Sequence, residues 1–259
     1  MVELQAASMA MAAMFVLGVV AWLISLAKRD VSIVDSFWSL FFLAGVLVYA
    51  WYATTLGSRA TLLLVLVSLW ALRLAGYLTW RNWGEPEDRR YQAIRVRNQP
   101  GFEWKSLYLV FGLQALLAAI ITAPLLAGMG GSHALNFLDL AGLALWVIGF
   151  GFETVGDWQL ARFKSRPANR RQVLDRGLWR YTRHPNYFGE ATLWWGYYLI
   201  AAAAGGWWTI FAPLLMTYLL LRISGVSLLE QDIHERRPDY RDYIKRTNAF
   251  LPGPPKEAV

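Results

Sequence analysis

The sequence predicts an all-α, polytopic membrane protein with seven transmembrane helices, and three observations lead to this fold class. Of the 259 residues, 56% are hydrophobic and only 17% are charged, and the chain contains 14 Trp, 12 Tyr and 13 Phe. The apolar residues are clustered in long runs, which is typical of segments that cross a bilayer. The basic residues are concentrated in alternate connecting loops. We therefore expect one integral membrane domain over residues 1–259.

Seven apolar runs have about the ~20 residues that a helix needs to cross a ~30 Å hydrocarbon core. The predicted helices are, in order, Ala10–Ala27, Val34–Ala53, Thr61–Trp80, Ser106–Leu126, Leu135–Leu160, Phe188–Ala204 and Trp207–Val226. In the first run the basic pair Lys28-Arg29 follows the apolar residues, and no small-residue cleavage site is apparent. A signal peptide has the opposite order, so we interpret this run as a membrane anchor.

The Lys and Arg residues predict the orientation of the chain. The loops after the first, third and fifth helices, together with the C-terminal side of the chain, hold all 25 of them except Arg59 and Arg73. Loops rich in Lys and Arg stay in the cytoplasm, so we expect the N-terminus outside and the C-terminus inside a bacterial inner membrane. The net charge of +7 is explained in this way without a nucleic-acid partner.

Two residue types limit the possible chemistry. The chain has no Cys, which excludes disulfides, thiolate metal ligands, iron–sulfur clusters and Cys nucleophiles. The three His residues, at positions 133, 184 and 234, are too few and too scattered for a multi-His di-iron centre. We therefore expect no metal site.

Ionisable residues inside spans usually face the interior of a bundle and mark function, because each costs ~2.5–3.5 kcal/mol at mid-depth. Here they are Asp35, Arg73, Asp139, Glu153, Asp157, Glu190 and Arg222. Asp35 and Arg73 could form an ion pair between the second and third helices, or Asp35 could be a plain helix cap. Glu153 and Asp157 share a helix face, where they could form salt bridges or hold ribose hydroxyls and an adenine amine.

The segment 180–190, Arg-Tyr-Thr-Arg-His-Pro-Asn-Tyr-Phe-Gly-Glu, joins the basic loop after the fifth helix to the sixth helix. If a helix begins near Pro185, Asn186 and Glu190 lie on one face, because they are four residues apart. The arginines of this loop are explained partly by orientation and partly by a diphosphate with an additional 2′-phosphate, which guanidinium groups bind well. We expect a nucleotide cofactor here. The Gly149-Phe150-Gly151 run is not a Rossmann fingerprint, because Thr154 replaces the third glycine.

Three stretches resemble the steroid 5-alpha-reductase family, in particular its bacterial branch. They are residues 176–190, the Trp194-Trp195-Gly196-Tyr197 run, and Arg222 with the tail 238–243. The resemblance implies a seven-helix membrane enzyme that uses NADPH to reduce the carbon–carbon double bond of a 3-oxo-4-ene steroid. Helices 1–4 would form the substrate side and residues 135–252 the cofactor-binding part. The cofactor-binding residues that it implies are Arg81, Asn82, Asp157, Lys164, Arg166, Arg171, Tyr181, His184, Asn186, Glu190 and Arg222.

A donor aimed at the substrate carbonyl lowers the barrier to hydride attack on an enone. The family uses a Glu and a Tyr on the second and third helices for this purpose, but Ser36 and Trp70 occupy those positions here. We therefore assign the role to a protonated Asp35 and to Tyr77, and we predict Asp35, Tyr77 and Glu190 as the catalytic residues. Helices lined by Trp and Phe would suit a lipophilic substrate that enters from the lipid.

The same motif is also similar to the isoprenylcysteine carboxyl methyltransferases and phospholipid methyltransferases, which bind S-adenosylmethionine. Those families usually carry a paired Glu near position 230, whereas this chain has Leu229-Glu230-Gln231. Its basic residues also exceed what a cofactor without phosphates requires. A third possibility is a lipid-binding membrane protein without catalytic activity, which would bind no nucleotide.

Overall fold

The computed structural model describes residues 2–53, 55–130, 134–169, 172–223, 230 and 239–256. The structure is 80% helix, and no strand occurs among these residues. This confirms the predicted all-α class. The chain divides into two compact units: Met1–Asn136 with Ala201–Thr209, and Phe137–Ile200 with Ile210–Val259. That the chain is one domain stays a prediction.

Nine helical segments are described, and they are numbered here in chain order. They are α1 Val2–Lys28, α2 Val34–Tyr52, α3 Ser58–Asn82, α4 Arg89–Arg97, α5 Phe102–Met129, α6 Phe137–Lys164, α7 Pro185–Ala203, α8 Trp207–Ile223 and α9 Tyr240–Arg246. Both α5 and α8 contain a stretch of π-helix, at Leu107–Gly112 and Leu219–Ile223 respectively. A 3-10 turn, Gly177–Arg180, lies between α6 and α7.

Five helical segments are long and apolar enough to cross a membrane. They are Leu4–Lys28, Val31–Tyr52, Ser58–Asn82, Phe102–Met129 and Phe137–Lys164, and they correspond to the first five predicted spans. Large apolar side chains such as Leu23, Leu72 and Leu140 are more than half exposed on these helices. Such outer faces are compatible with contact to lipid acyl chains, and the chain has the character of an integral membrane protein.

The first unit is a bundle of α1, α2, α3 and α5 with an aromatic core. Phe41, Phe42, Trp70 and Phe111 are fully buried there, and the Phe42 and Trp70 rings lie 5.7 Å apart. The Ser39 hydroxyl donates to the Ala71 carbonyl at 2.9 Å, which ties α2 to α3. Trp70, at a position where the resemblance implies a substrate-binding Tyr, is therefore a core residue.

In the second unit, α6 and α7 cross with their backbones in contact. A Cβ atom added to Gly149 would lie 2.5 Å from the carbonyl oxygen of Gly189. One added to Gly196 would lie 2.6 Å from the carbonyl oxygen of Gly142. These glycines repeat every seven residues, about two helical turns, so they form one face on each helix. Only glycine fits at this crossing, and the crossing brings the middle of α6 against the start of α7.

We expect Gly149→Ala to lower the free energy of unfolding by about 1–3 kcal/mol, because the added methyl group would force two backbones apart. The matched control is Gly151→Ala on the same helix, where no atom lies within 4 Å of the added Cβ. That variant should be as stable as the wild type or slightly more stable, since Ala favours helix. Equilibrium unfolding of the purified protein in detergent measures both. Equal losses in the two variants would contradict the close crossing.

Candidate functional site

The start of α7 carries the polar residues that the sequence analysis placed there. Pro185 is the first residue of the helix, and the Asn186 side-chain amide donates to the Asp157 carboxylate on α6 at 3.2 Å. Glu190 follows one turn later on α7 and is 8% exposed. Asp157 and Glu153 on α6 are 4% and 2% exposed. The structure therefore brings Asp157 and Asn186 together.

The segment after α6 folds back onto that helix. The indole N–H of Trp179 donates to the Gly156 carbonyl at 3.1 Å, and the Leu178 amide donates to Gln159 Oε1 at 3.0 Å. Gly177 adopts φ +63°, a backbone conformation that L side chains rarely adopt, and a Cβ atom added there would lie 2.4 Å from Gln159 Nε2. These contacts fix the direction in which the chain approaches α7.

Arg183 and His184, just before α7, hold the carboxylate of Glu230. Arg183 donates through Nε and one terminal nitrogen, at 2.8 and 2.9 Å, and His184 Nε2 lies 2.8 Å from the same carboxylate. The Tyr240 hydroxyl donates to it at 3.2 Å. The His184 ring also stacks on Tyr187, with centroids 5.6 Å apart. Four hydrogen bonds leave this acid well satisfied, as a partly buried charge requires.

The C-terminal segment docks on the same stretch through backbone atoms. The Arg183 amide donates to the Asn248 carbonyl at 2.9 Å, and its guanidinium donates to the Thr247 carbonyl at 2.6 Å. The Thr182 hydroxyl donates to the Phe250 carbonyl at 2.8 Å. The Tyr243 hydroxyl donates to the Trp179 carbonyl. The predicted motif is therefore also a docking surface for the tail.

These contacts set the pKa of Glu230. Burial raises the pKa of this carboxyl group, but the hydrogen bonds from His184 and Arg183 outweigh that effect and lower it to about 2. Burial and the neighbouring Glu230 carboxylate raise the pKa of the Tyr240 hydroxyl, which therefore stays protonated as a donor. Glu230 is thus a carboxylate that works as a structural acceptor.

Several of the predicted cofactor-binding residues contact other parts of the protein or are exposed at its surface. His184 contacts Glu230 and Tyr187, which gives it a structural role. The Tyr181 side chain is 45% exposed, and its carbonyl accepts the Gly253 amide at 3.1 Å. Lys164, Arg166 and Arg222 are exposed at helix ends. Arg171 lies outside the described residues. For all of these residues, cofactor binding stays a prediction.

Asp35 has a different partner from the one expected. Its carboxylate accepts from Arg90 at 2.7 Å and from the Tyr91 hydroxyl at 2.6 Å, and both donors lie on α4. The Asp35–Arg73 ion pair is therefore wrong. The helix-cap interpretation is wrong too, because Ile33 is the N-cap residue of α2. The reason is that the loop after the third predicted helix contains α4, whose Arg90 reaches the start of α2.

The surroundings of Arg90 reinforce this contact. Burial lowers the pKa of Arg90, but the Asp35 and Asp88 carboxylates together outweigh that effect and raise the pKa above its ordinary value. Arg90 therefore stays charged. Asp88 accepts from Arg90 Nε at 2.9 Å. The catalytic role of Asp35 stays a prediction. In the structure, the Asp35 carboxylate anchors α4 through Arg90 and Tyr91.

Tyr77, Arg81 and Asn82 form a small cluster at the end of α3. Arg81 Nε donates to Asn82 Oδ1 at 3.1 Å, and the Arg81 guanidinium lies 5.7 Å from the centre of the Tyr77 ring. The catalytic role of Tyr77 and the cofactor-binding roles of Arg81 and Asn82 stay predictions.

The sequence analysis missed the pairing of Arg183 with Glu230. In the sequence, Arg183 lies inside the motif, and Glu230 is notable only as the acid of the tail in the resemblance to the methyltransferases. A signal for the pairing was present: Arg183 and His184 immediately precede an apolar helix, where buried cations need an acid. The sequence does not show which acid of the tail supplies it.

Comparison with known proteins identifies the family of the chain. Residues 21–247 match the model of a family described as "Protein of unknown function (DUF1295)". The chain belongs to this family. An uncharacterized protein of Schizosaccharomyces pombe is 27% identical over 271 aligned positions, which cover 92% of this chain and 77% of the yeast protein. No solved structure matches the chain.

This result corrects one prediction from the sequence. Membership of the steroid 5-alpha-reductase family is wrong, because the matching model is that of DUF1295 and no steroid 5-alpha-reductase domain is found. The motif that suggested that family is short. In this structure its Thr182, Arg183 and His184 hold the tail and Glu230, a packing task that does not depend on one particular activity.

We expect Glu230→Gln to lower the free energy of unfolding by about 2 kcal/mol, because it leaves the Arg183 charge buried without a counter-ion. The Arg183 side chain is 8% exposed and that of Glu230 16%. The control is Asp242→Asn, whose partner Lys245 is exposed, and which should unfold like the wild type. Thermal and denaturant unfolding in detergent measure both.

The contribution of Glu230 to stability should also depend on pH. Its pKa is lower in the folded protein than the ordinary 4.5, so the contribution is complete above pH 4.5 and is lost as pH falls towards 2. In Glu230→Gln this part of the acid-induced loss should be missing. If the wild type and this variant lose the same stability between pH 4.5 and pH 2, Glu230 is not the carboxylate that Arg183 holds.

Proposed function

We propose that this protein is a membrane enzyme that reduces the carbon–carbon double bond of a lipophilic enone with NADPH. The observation that carries the proposal is the contact of Asn186 with Asp157 at the α6–α7 crossing, with the buried Glu190 one turn away. An amide and carboxylates are costly in an apolar helix pair, and function is the usual reason for keeping them there.

The chemistry of these side chains fits the polar ends of a dinucleotide. A carboxylate accepts hydrogen bonds from ribose hydroxyls, and a primary amide can both donate to and accept from the carboxamide of nicotinamide. Asn186 and Glu190 would hold the nicotinamide and its ribose, and Asp157 the adenosine end. When bound, NADPH would supply the hydride. The residues of the chain would bind and orient the cofactor and exclude water.

The phosphates would be held by the exposed cations near the end of α6. Lys164 lies seven residues after Asp157, about 10 Å further along the helix, and Arg166 follows it. Both side chains are exposed, which leaves them accessible to an anionic ligand. Guanidinium and ammonium groups bind phosphate oxygens well, and an extra 2′-phosphate would favour NADPH over NADH.

The same proposal includes seven spans, with the N-terminus outside and the C-terminus in the cytoplasm. Helix α7 has 19 residues, about 28 Å, and α8 extends from Trp207 to Ile223, about 25 Å. Both lengths are close to the ~30 Å hydrocarbon thickness. In a bacterial inner membrane, the basic loops and the cofactor residues beside them would then face the cytoplasm. The lipophilic substrate would enter from the bilayer.

One observation favours a second candidate, an S-adenosylmethionine-dependent membrane methyltransferase. Glu153, Asp157 and Glu190 are three buried carboxylates on two neighbouring helices, and a sulfonium cation would be attracted to them. Against it, Glu230 would be the acid of the tail that marks those enzymes, and Arg183 and His184 already hold it. The number of basic residues near the end of α6 also exceeds what a cofactor without phosphates requires.

We expect NADPH to raise the unfolding temperature of the purified protein more than NADH does at equal concentration. The physical reason is that the 2′-phosphate adds contacts to cations in the folded state alone. A 3-oxo-4-ene steroid serves as a probe enone, and its reduction is followed by the loss of NADPH absorbance. Protection by S-adenosylmethionine alone would replace this proposal by the methyltransferase, and equal protection by NADPH and NADH would exclude the phosphate assignment.

We expect Glu190→Ala to abolish turnover of the probe enone while the protein stays folded, because the carboxylate would no longer orient the ribose end of the cofactor. The control is Asp242→Ala, which removes an exposed acid from α9 and should keep both activity and unfolding temperature. Near-normal activity of Glu190→Ala would show that the cofactor site lies elsewhere.

A further inference from the structure

A pocket of about 430 Å³ lies beside the docked tail, in the second unit. It is lined by Asp175, Arg176, Gly177, Arg180, Arg246, Thr247, Pro255 and Lys256. These residues come from the loop before α7, the end of α9 and the C-terminal segment. None of them is among the residues to which the proposed function assigns cofactor binding. A volume of this size is sufficient for a small ligand.

The lining of the pocket is strongly cationic. It contains four cationic side chains and a single acid, Asp175, whose carboxylate lies 3.5 Å from Arg246. Within the described part of the chain, no carboxylate forms an ion pair with Arg180 or Lys256. Like charges that converge around a concave surface repel one another, and an anionic ligand would remove that repulsion.

The backbone holds these cations in place. Gly177, which needs φ +63°, sets the turn between Arg176 and Arg180. The Lys256 amide donates to the Arg246 carbonyl at 2.8 Å, which fixes the tail as one wall of the pocket. The Arg176 guanidinium lies 5.9 Å from the centre of the Phe163 ring, a cation–π distance that restrains its direction. Three separate segments of the chain thus contribute cationic side chains to the same pocket.

We propose that this pocket binds a phosphate group. The guanidinium groups of Arg match the geometry of phosphate oxygens, and a Lys ammonium can donate a further hydrogen bond to the same anion. The phosphate has two possible sources, the headgroup of an anionic phospholipid and a small soluble phosphate. The chemistry at the pocket is the same for both. Basic pockets on the cytoplasmic side of membrane proteins commonly recognise anionic headgroups.

The experiment uses the full-length protein in detergent without nucleotide, so its result is independent of the proposed cofactor. The lipid arm compares binding of phosphatidylglycerol and phosphatidylcholine by native mass spectrometry. The soluble arm compares thermal protection by inorganic phosphate and by chloride at equal ionic strength. We expect at least one probe, phosphatidylglycerol or inorganic phosphate, to bind in preference to its control, and the arm that responds identifies the source.

The variant Arg180→Gln/Lys256→Gln should weaken binding of the responding probe by about five-fold per cation removed, or about twenty-five-fold in total. The matched control, Arg97→Gln/Arg241→Gln, removes the same charge from exposed positions outside the pocket and should bind within two-fold of the wild type. Asp175→Asn should instead bind the probe more tightly, by about five-fold, because it removes the repelling acid. A gain of affinity cannot result from misfolding.

Two outcomes would overturn the proposal. The first is that neither phosphatidylglycerol nor inorganic phosphate binds in preference to its control. The second is that the pocket variant and the matched control lose affinity equally, which would mean that the net charge of the protein attracts the anion.

Discussion

The close crossing of α6 and α7 is the constraint on which the candidate site depends. Carbonyl oxygens of one helix lie within 2.7 Å of where a Cβ of the other would be, so this close separation of the helices requires glycine at these positions. At that separation Asn186, on the first turn of α7, reaches Asp157 on α6 at 3.2 Å. A wider crossing would break this hydrogen bond between two buried polar groups, which is unfavourable in an apolar environment. Packing of small residues therefore determines where the polar residues can be.

The start of α7 combines this polar contact with a second task. Arg183 and His184 hold Glu230, and the backbone of the same stretch receives the tail. Because a buried Arg needs a carboxylate and a buried carboxylate needs donors, these residues would be retained together whatever reaction the protein performs. A short motif of this kind is therefore evidence for a local structure. It is weaker evidence for a family, and this explains why the resemblance to the steroid reductases led to a wrong assignment.

The fold class and the five long spans could be predicted from the sequence, because an apolar run of sufficient length has few alternatives to a helix in lipid. The pairing of Asn186 with Asp157 could be predicted from the sequence only in part. The four-residue spacing places Asn186 and Glu190 on one face of α7. The helix crossing that brings Asp157 to Asn186 depends on glycines such as Gly149 and Gly189. Those glycines look like ordinary small residues until the partner helix is known. The Arg183–Glu230 pair joins residues 47 positions apart, a separation that no local pattern encodes.

Asp35 illustrates the same limit in the first unit. From the sequence, an acid at the start of an apolar helix and an Arg within the next helix are natural partners, since both are costly in lipid. The short helix α4 changes this assignment, because it is too polar to be predicted as a span and lies in the loop after the third predicted helix. Its Arg90 brings a charge and its Tyr91 a hydroxyl to Asp35 from the segment that connects α3 to α5. The partner of Asp35 thus comes from a connecting segment, and the connecting segments of such a protein have to be assigned before the partners of its buried charges.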